Sequence, residues 1–176
     1  MDRRRDYRRF KELLKKYGIS KFYHFTDRSN ITSIIGNRGL WSWASCKAKN
    51  ITILRPGGSD LSHKLDAKGL LDEYVRVSIC NNHPMMYQAL SEGRINDPVL
   101  LEIDIDILYR EGNLFSDRNA NRKDANIGDS FEDFNKIHFE TALKGSQFDA
   151  DEDERVYYQA EILVKDHIPL HYLLSI

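Results

Sequence analysis

A run of β-branched and aromatic residues near the C-terminus constrains the fold more than any other segment. Residues 156–164 read Val-Tyr-Tyr-Gln-Ala-Glu-Ile-Leu-Val, a composition that predicts a β-strand. Because strand side chains alternate between two faces, one face would be apolar throughout and the other would carry Gln159 and Glu161. Polar groups among apolar ones are costly unless they are paired or used, so these two residues are candidates for function. A solvated sheet face explains this segment equally well on its own.

The composition is that of an ordinary globular protein. The 176 residues are enough for one domain with a hydrophobic core, and 41% of them are hydrophobic and 30% charged. Without repeats or Pro/Gly/Ser-rich linkers, we expect a single domain over residues 1–176. Cys46 and Cys80 lack metal-type spacing, and no run reaches the ~20 apolar residues of a membrane span or resembles a signal peptide. We therefore expect a cytoplasmic protein that is not held in a membrane.

The net charge of −1 hides an asymmetry between the N-terminus and the rest of the chain. Residues 1–16 hold eight Lys or Arg against three Asp or Glu, a balance of +5 that leaves −6 for the remainder. Apolar and aromatic residues recur there at helical spacing, and Gly18 stands where a helix would end. We predict a basic amphipathic helix within residues 1–18 whose apolar stripe packs on the domain. Its charged side would either meet nucleic-acid phosphates or form a solvated surface, and the sequence favours neither.

A short strand followed at once by a helix start brings three polar side chains together. Residues 21–26 read Lys-Phe-Tyr-His-Phe-Thr, which predicts a strand, and residues 27–30 supply capping chemistry for the helix that follows. His24 and Thr26 share a strand face, and Asn30 lies one turn further on. Side chains and free amides at such a junction can bind a small polar ligand, although a lone strand histidine is more often structural.

Charged segments elsewhere admit other chemistry. A long loop before the predicted strand 74–79 contains Ser-His-Lys-Leu-Asp at residues 62–66, which is a base, a cation and an acid within five residues. Another predicted strand places Glu102 and Asp104 on one face, with Asp106 just beyond. Three carboxylates could hold a divalent metal, but such a face is more often solvated, so we assign no metal site.

The remaining segments mix short strands with short helices. We predict a helix beginning near Pro84, a polar loop over residues 118–129, a helix over 131–139 and a final strand over 167–176. Residues 149–154 include five acidic side chains and predict a solvated, mobile segment just before the strand discussed first. Short strands interspersed with a few helices indicate an α+β fold.

Several short motifs are each weak but are specific as an ordered set. They are Phe22-Tyr23-His24-Phe25-Thr26 with Asn30-Ile31, Ser33-Ile34 and Gly39-Leu40, then Leu61-Ser62-His63-Lys64-Leu65-Asp66 with Asp72-Glu73-Tyr74-Val75, then His83-Pro84-Met85, and last Ala160-Glu161-Ile162-Leu163-Val164. From Phe22 onward the chain thereby resembles the DarT family, toxins that attach ADP-ribose to bases in single-stranded DNA using NAD. The resemblance implies an ADP-ribosyltransferase-like α+β fold, in which a split β-sheet core with flanking helices grips NAD.

The resemblance also implies roles for individual residues and partners. Glu161 matches the glutamate that is essential for transfer, and NAD would be the co-substrate. The positions that match NAD contacts are His24, Thr26 and Asn30. The implied function is NAD-dependent mono-ADP-ribosylation of a base in single-stranded DNA by the toxin of a bacterial toxin–antitoxin pair. Its partners would be single-stranded DNA and a cognate antitoxin, for which a macrodomain-type ADP-ribose hydrolase is the candidate.

The residues that meet the acceptor and assist catalysis depart more from the family. Gln159 with Glu161 looks like the Gln-x-Glu pair of many ADP-ribosyltransferases, whose first residue helps to select the acceptor, and we assign Arg118 and Asn119 to the DNA as well. Much of the family has an arginine-rich stretch before the Tyr-Val strand, and one arginine there assists catalysis. Here Lys64 would supply the positive charge, as a point charge rather than a planar fork. This departure predicts a divergent branch and slightly favours guanosine over thymidine as the target.

Two rival classes of function stay open at this point. One is an ADP-ribosyltransferase of the same fold that acts on RNA or protein, distinguished by which macromolecule takes label from NAD. The other is a non-catalytic nucleic-acid-binding domain, or a metal nuclease built on the acidic face at residues 102–106. A nuclease would need a divalent metal and would not consume NAD.

Overall fold

The computed structural model of the chain describes residues 3–59, 63–64, 66 and 68–175. The helices are α1 (Tyr7–Lys16), α2 (Ile31–Gly36), α3 (Trp43–Ala48), α4 (Pro84–Ser91), α5 (Phe131–Asn135) and α6 (Phe139–Ala142). The strands are β1 (Lys21–Asp27), β2 (Gly39–Trp41), β3 (Tyr74–Ser78), β4 (Pro98–Asp104), β5 (Leu114–Ser116), β6 (Ile127–Gly128), β7 (Glu161–Lys165), β8 (His167–Pro169) and β9 (Leu173–Ser175). Leu61, Ser62 and Leu65, which belong to one of the family-like motifs, lie outside the described residues.

Most strands join one antiparallel sheet, which confirms the α+β prediction. Its seven strands run in the order β6-β5-β7-β3-β1-β4-β9, and β2 pairs with β8 in a separate ribbon. The close approach in the ribbon requires glycine, because a Cβ atom on Gly39 would fall 2.2 Å from the Ile168 carbonyl oxygen. None of the described helices has the length and apolar character needed to cross a bilayer.

The sheet is split at its centre. Strand β1 pairs with β4 at seven positions but with β3 only at Tyr23 and Ser78. Beyond that single pair the two strands no longer form a ladder, so backbone and side chains there are free to line an opening. The split between β1 and β3 is what positions the candidate site.

The predicted N-terminal helix is confirmed and forms part of the hydrophobic core. The fully buried Phe10 ring lies 5.5 Å from Phe115, 5.1 Å from Phe131 and 5.1 Å from Phe134, measured between ring centroids. Gly18 follows α1 with a φ of +67°, a conformation that glycine adopts without strain. The aromatic cluster holds α1 against one face of the sheet.

The strand predicted over residues 156–164 begins only at Glu161. Residues 155–159 form a 3₁₀ helix instead. The reason is the absence of neighbours, because Glu161 pairs with Ser78 at the last position of β3 and with Ser116 at the last position of β5. Among the described residues, no strand lies beside the segment upstream of Glu161 to accept or donate a ladder hydrogen bond. The prediction that Gln159 and Glu161 share a strand face was therefore wrong.

The strand predicted over residues 167–176 is also divided. Strand β8 turns to pair with β2, a 3₁₀ turn covers Leu170–Tyr172, and β9 then pairs with β4 at the edge of the main sheet. One apolar run thus serves two sheets, which hydrophobic periodicity alone does not reveal.

Candidate active site

An open cleft lies where β1 and β3 separate. Its walls are residues 23–26 of β1, residues 74–78 of β3, the segments 39–43 and 51–58, and the carboxylate of Glu161. Two tryptophans and Phe25 supply apolar surface, and the Trp43 ring stacks on His63 at a centroid distance of 3.9 Å. A cleft with aromatic walls and a few convergent polar groups is typical of a small-molecule site.

Glu161 lies at the base of the cleft with 5% of its surface exposed. One carboxylate oxygen, Oε2, accepts hydrogen bonds from Arg76 Nη1 at 2.6 Å and from the backbone N–H of Ala120 at 2.8 Å. Burial raises the pKa of Glu161, and the charge of Arg76 with the Ala120 N–H offsets only part of that rise. The site therefore holds a carboxyl group whose pKa is shifted toward neutrality, as expected of a group that handles a proton.

Arg76 is the cation of this site. It lies two residues before Ser78 on β3, and Ser78 pairs with Glu161, so Arg76 and Glu161 are diagonal neighbours on one sheet face. Its Nη2 donates to the Asp66 carboxylate and to Asn121 Oδ1, the latter at 2.8 Å. Burial by itself would lower the pKa of Arg76, but the two carboxylates outweigh that effect and raise it. The guanidinium stays charged and is fixed on several sides.

The segment predicted to carry the catalytic cation is divided between surface and site. Lys64 is exposed and is not among the described residues that line the cleft. Asp66, two residues later, is buried and holds Arg76. Sequence reasoning missed Arg76, although a charged residue in the apolar alternation Tyr-Val-Arg-Val-Ser at residues 74–78 was a signal that could have identified it.

His24 lines the cleft from β1 and contacts β3, the strand that carries Arg76. Its Nδ1 lies 2.8 Å from the Arg76 carbonyl oxygen, and because a carbonyl only accepts, we place the ring proton on Nδ1. Burial lowers the pKa of His24, so the ring is neutral at pH 7 and Nε2 is left as an acceptor. A second histidine, His83, also lines the cleft. Burial and the charge of Arg76 lower its pKa to about 4, so its ring is neutral at pH 7.

Asn30 uses its side-chain amide to join Thr26 to residues 54–55, an arrangement that we call the clasp. Its Oδ1 accepts from the backbone N–H groups of Leu54 at 2.9 Å and Arg55 at 3.1 Å. Its Nδ2 donates to Thr26 Oγ1 at 3.1 Å and to the Arg55 carbonyl at 2.7 Å. Both acceptor and both donor positions of the amide are thus used. Asn30 fixes the segment at residues 54–55 beside the cleft instead of offering a free group to a ligand.

The three residues predicted to bind the DNA acceptor, which are Gln159, Arg118 and Asn119, are not brought together. Asn119 lines the cleft and its Oδ1 accepts from the Asn121 N–H at 3.0 Å. Arg118 instead pairs with Asp117 at 2.9 Å and lies over the Tyr157 ring, and its pKa is raised chiefly by Asp117. Gln159 is half-buried and is not among the described residues that line the cleft.

The acidic face considered for a metal is engaged in local structure. Glu102 pairs with Lys21, and Asp104 Oδ1 accepts from the Asp106 N–H at 2.8 Å at the start of a 3₁₀ turn. Within the described part of the chain, no group of three or more His, Cys, Asp or Glu is placed to hold a metal ion.

Comparisons with known proteins agree with this geometry. A family model described as "ssDNA thymidine ADP-ribosyltransferase, DarT" matches residues 23–176. The structure of Thermus sp. 2.9 DarT in complex with ADP-ribosylated ssDNA matches with a TM-score of 0.73 and 18% identity, over 89% of this chain and 79% of that one. The same protein in complex with NAD⁺ gives a TM-score of 0.64 and 19% identity, over 88% and 79%. Thermosipho africanus DarTG in complex with ADP-ribose gives 0.69 and 20%, over 88% and 42%. No curated protein sequence matches.

Proposed function

The chain belongs to the DarT family, and from that premise we propose that it transfers ADP-ribose from NAD to a base of single-stranded DNA. The observation that carries the proposal is Glu161, buried at the base of an open cleft and held by Arg76 at 2.6 Å. The family description names thymidine, so we propose thymidine as the base instead of the guanosine that the missing arginine pattern slightly favoured.

The cleft residues suit the two substrates of this reaction. The relatives of known structure include complexes with NAD⁺ and with ADP-ribosylated ssDNA. In this chain, the aromatic walls can cover the flat rings of a dinucleotide, and the neutral His24 offers Nε2 as an acceptor. Thr26 and Asn30 shape the same wall from the side, as a clasped pair.

The chemistry requires one carboxylate in two steps. Breaking the nicotinamide–ribose bond leaves positive charge on the ribose, and an ionised Glu161 stabilises that charge electrostatically. Nicotinamide leaves with the bonding electrons, the base nitrogen forms the new bond to ribose, and the proton on that nitrogen is released. Glu161 is suited to accept this proton because its pKa is raised toward neutrality.

We propose that Arg76, and not Lys64, supplies the positive charge that assists catalysis. Arg76 reaches both Glu161 and Asp66, whereas Lys64 is exposed. The planar guanidinium can hold two carboxylates at fixed angles, which an ammonium group cannot do. Arg76 acts as a positioning residue that orients Glu161 and favours its ionised form. Gln159, Arg118 and Asn119 remain candidates for the DNA side of the site.

The biological setting follows the family. We propose that the chain is the toxin of a bacterial toxin–antitoxin pair and acts in the cytoplasm, with a macrodomain-type ADP-ribose hydrolase as antitoxin. The relative DarTG binds ADP-ribose, and this chain spans 42% of its length. Both cysteines are free and buried, as suits a reducing compartment. Expression of the wild-type chain should stop bacterial growth, and expression of Glu161→Gln should not.

Transfer of label tests the biochemical proposal. Purified protein and adenylate-labelled NAD are incubated with one acceptor per reaction, which is single-stranded DNA, RNA or a protein mixture. Each reaction is run with and without EDTA. Only the DNA should take label, and EDTA should have no effect. Glu161→Gln should reduce turnover by ~100-fold or more, the value of an electrostatic contact of this kind, with circular dichroism unchanged.

A carboxylate elsewhere on the sheet provides the matched control for this assay. Glu102→Gln removes a partly exposed acid outside the cleft and should retain full transfer. Labelling of RNA or protein alone, or full activity of a folded Glu161→Gln protein, would contradict the proposal.

A further inference from the structure

Helix α1 presents a row of cations whose use the cleft does not explain. We define the basic face as Arg8, Lys11, Lys15 and Lys16, which are all exposed. No ion pair joins any of the four to a carboxylate among the described residues. With 3.6 residues per turn, positions 8, 11, 15 and 16 fall on one side of the helix. The four charges thus form a strip that also contains the exposed Glu12, so the strip has a net charge of +3.

Other arginines of the same segment have partners within the fold. Arg4 donates to Asp6 at 3.0 Å and to the Asp129 carbonyl at 2.6 Å, and it lies over the Phe10 ring. Arg9 pairs with Glu132 at 2.8 Å. Among the described residues, the basic face makes ring contacts, Arg8 with Tyr7 and Lys16 with Tyr17, but no ion pair, so solvation or a partner must balance its charge.

Two properties narrow the kind of partner. The apolar stripe of α1 is occupied, because Phe10 and Leu14 are buried in the core and cannot enter a lipid layer. The rest of the chain carries −6 against +5 in residues 1–16, so the cations of α1 are a local exception on an acidic protein. A polyanion recognised by charge alone fits this surface better than an amphipathic membrane contact.

The location of α1 relates the strip to the DNA path. Phe10 packs on the Phe115 side chain, so α1 covers that face of the sheet. The next residue, Ser116, pairs with Glu161, and both of these side chains point to the opposite face. Two strand spacings of ~4.8 Å separate β7 from the sheet edge at β6. From the plane of the sheet to the outer surface of α1 is roughly 15 Å more. The path around the edge is about 25 Å, or about seven nucleotides of a stacked strand at ~3.4 Å each.

We propose that the basic face binds the phosphate backbone of the same DNA strand whose base enters the cleft, about seven nucleotides from that base. This inference rests on the proposed function. It also adds to it, because the family match begins at residue 23 and does not include α1. The surface would select long single strands without reading their sequence, since phosphate contacts carry no base information.

Substrate length is the decisive variable for a test. The variant Arg8→Gln/Lys11→Gln/Lys15→Gln/Lys16→Gln keeps helix-forming residues on α1. It is compared with wild type on a 5-nucleotide and a 25-nucleotide DNA, each with one central target base. On the long strand, labelling at low DNA concentration should fall about tenfold, and the salt slope of binding should drop by up to ~3, or ~0.7 per lost contact. On the short strand, which cannot reach α1, labelling should change less than twofold.

A variant that loses the same number of positive charges elsewhere on the protein provides the control. Arg28→Gln/Arg38→Gln/Lys136→Gln/Lys144→Gln removes four charges outside both α1 and the cleft and should keep the length dependence of wild type. Loss by this control to the same extent, or unchanged length dependence in the α1 variant, would overturn the proposal. So would binding of anionic vesicles, but not DNA, through α1.

Direct binding separates this inference from the proposed function. Fluorescence anisotropy of the labelled 25-nucleotide strand needs no transfer reaction. If wild type labels neither strand with ADP-ribose, the proposed function fails, while the α1 variant and wild type still show by anisotropy whether the basic face binds DNA.

Discussion

The two faces of β7 show how the same depth of burial has opposite consequences. Ile162 and Glu161 are consecutive, with 0% and 5% of their surfaces exposed. Ile162 pairs with Phe115 and joins the core on which α1 packs, so its burial stabilises the fold. Burial of Glu161 opposes its ionisation and raises its pKa. The core face contributes stability, and the cleft face contains charge that the fold must hold in place.

The charges of the cleft face are tolerated because they are shared. Arg76 lies between Glu161 and Asp66, Ala120 donates a further hydrogen bond to Glu161, and Asn121 accepts one from Arg76. A buried ion pair of this kind is weak evidence for stability, and Arg76 keeps Asp66 as a partner when the charge of Glu161 is removed. Substitutions on the two faces should therefore separate stability from chemistry.

The largest effect is expected on the core face. Phe10→Ala removes a ring that contacts three other aromatic rings and should lower the free energy of unfolding by about 3–5 kcal/mol. Turnover per folded molecule should be unchanged. Urea denaturation measures the loss, with Phe148→Ala, at 71% exposure, as the aromatic control. A large change in turnover of folded Phe10→Ala would break the division between the faces.

The next effect is on the cleft face and concerns pH. Glu161 must be ionised to act, so activity should rise as pH increases through its raised pKa. Arg76→Lys keeps the charge but cannot hold both carboxylates at once, so the pKa of Glu161 should rise further. The acid limb of the pH–rate profile should move to higher pH, and turnover near neutrality should fall by about tenfold. Arg94→Lys, at an arginine outside the cleft that pairs with Glu92, is the control, and an unshifted acid limb in Arg76→Lys would argue against the positioning role.

A smaller effect is expected at the clasp beside the cleft. Asn30→Ala leaves the N–H groups of Leu54 and Arg55 without their acceptor, which should cost about 1–3 kcal/mol of stability. Because the wall of the cleft is released, KM for NAD should increase more than turnover falls. Asn37→Ala, which removes only local hydrogen bonds to Ser33 at 2.8 and 3.2 Å, should leave KM unchanged. An unaltered KM in Asn30→Ala would show that the clasp does not shape the NAD site.

The smallest effect sharpens the comparison most directly. A raised pKa in the folded state means that Glu161 destabilises the fold once pH exceeds its unfolded value, and fully so above the folded one. Glu161→Gln should therefore be slightly more stable than wild type at pH 8, and the gain should vanish at pH 4. Thermal unfolding at the two pH values measures this difference. Lower stability of Glu161→Gln at pH 8 would show that the carboxylate contributes to the fold.

Local patterns predicted the elements that depend on short-range physics. The helical spacing of residues 7–17 and the turn residue Gly18 correctly predicted α1, and alternation correctly predicted β1, β3 and β4. The family-like motifs pointed to Glu161, and the structure places that residue at the base of the cleft. Each of these helices and strands is encoded within a window of about ten residues, whereas the family resemblance depends on the order of motifs along the chain.

What the local pattern did not reveal depends on residues that are distant in sequence. Arg76 and Ala120 contact Glu161 across separations of 85 and 41 residues, and no periodicity relates them. Lys64 was predicted in place of Arg76 because it lies in the stretch before the Tyr-Val strand where much of the family has its catalytic arginine, but the fold leaves Lys64 exposed.

By itself, the sequence determined α1, β1, β3 and β4, the family that the chain resembles, and the concentration of cations in the first sixteen residues. The tertiary structure decided where β7 begins, which cation meets Glu161, and which cations of α1 remain on the surface. The physical reason is that a strand extends only as far as a neighbour can share its hydrogen bonds, and a charge is buried only where partners surround it. Both conditions are set by chain segments that come together only on folding.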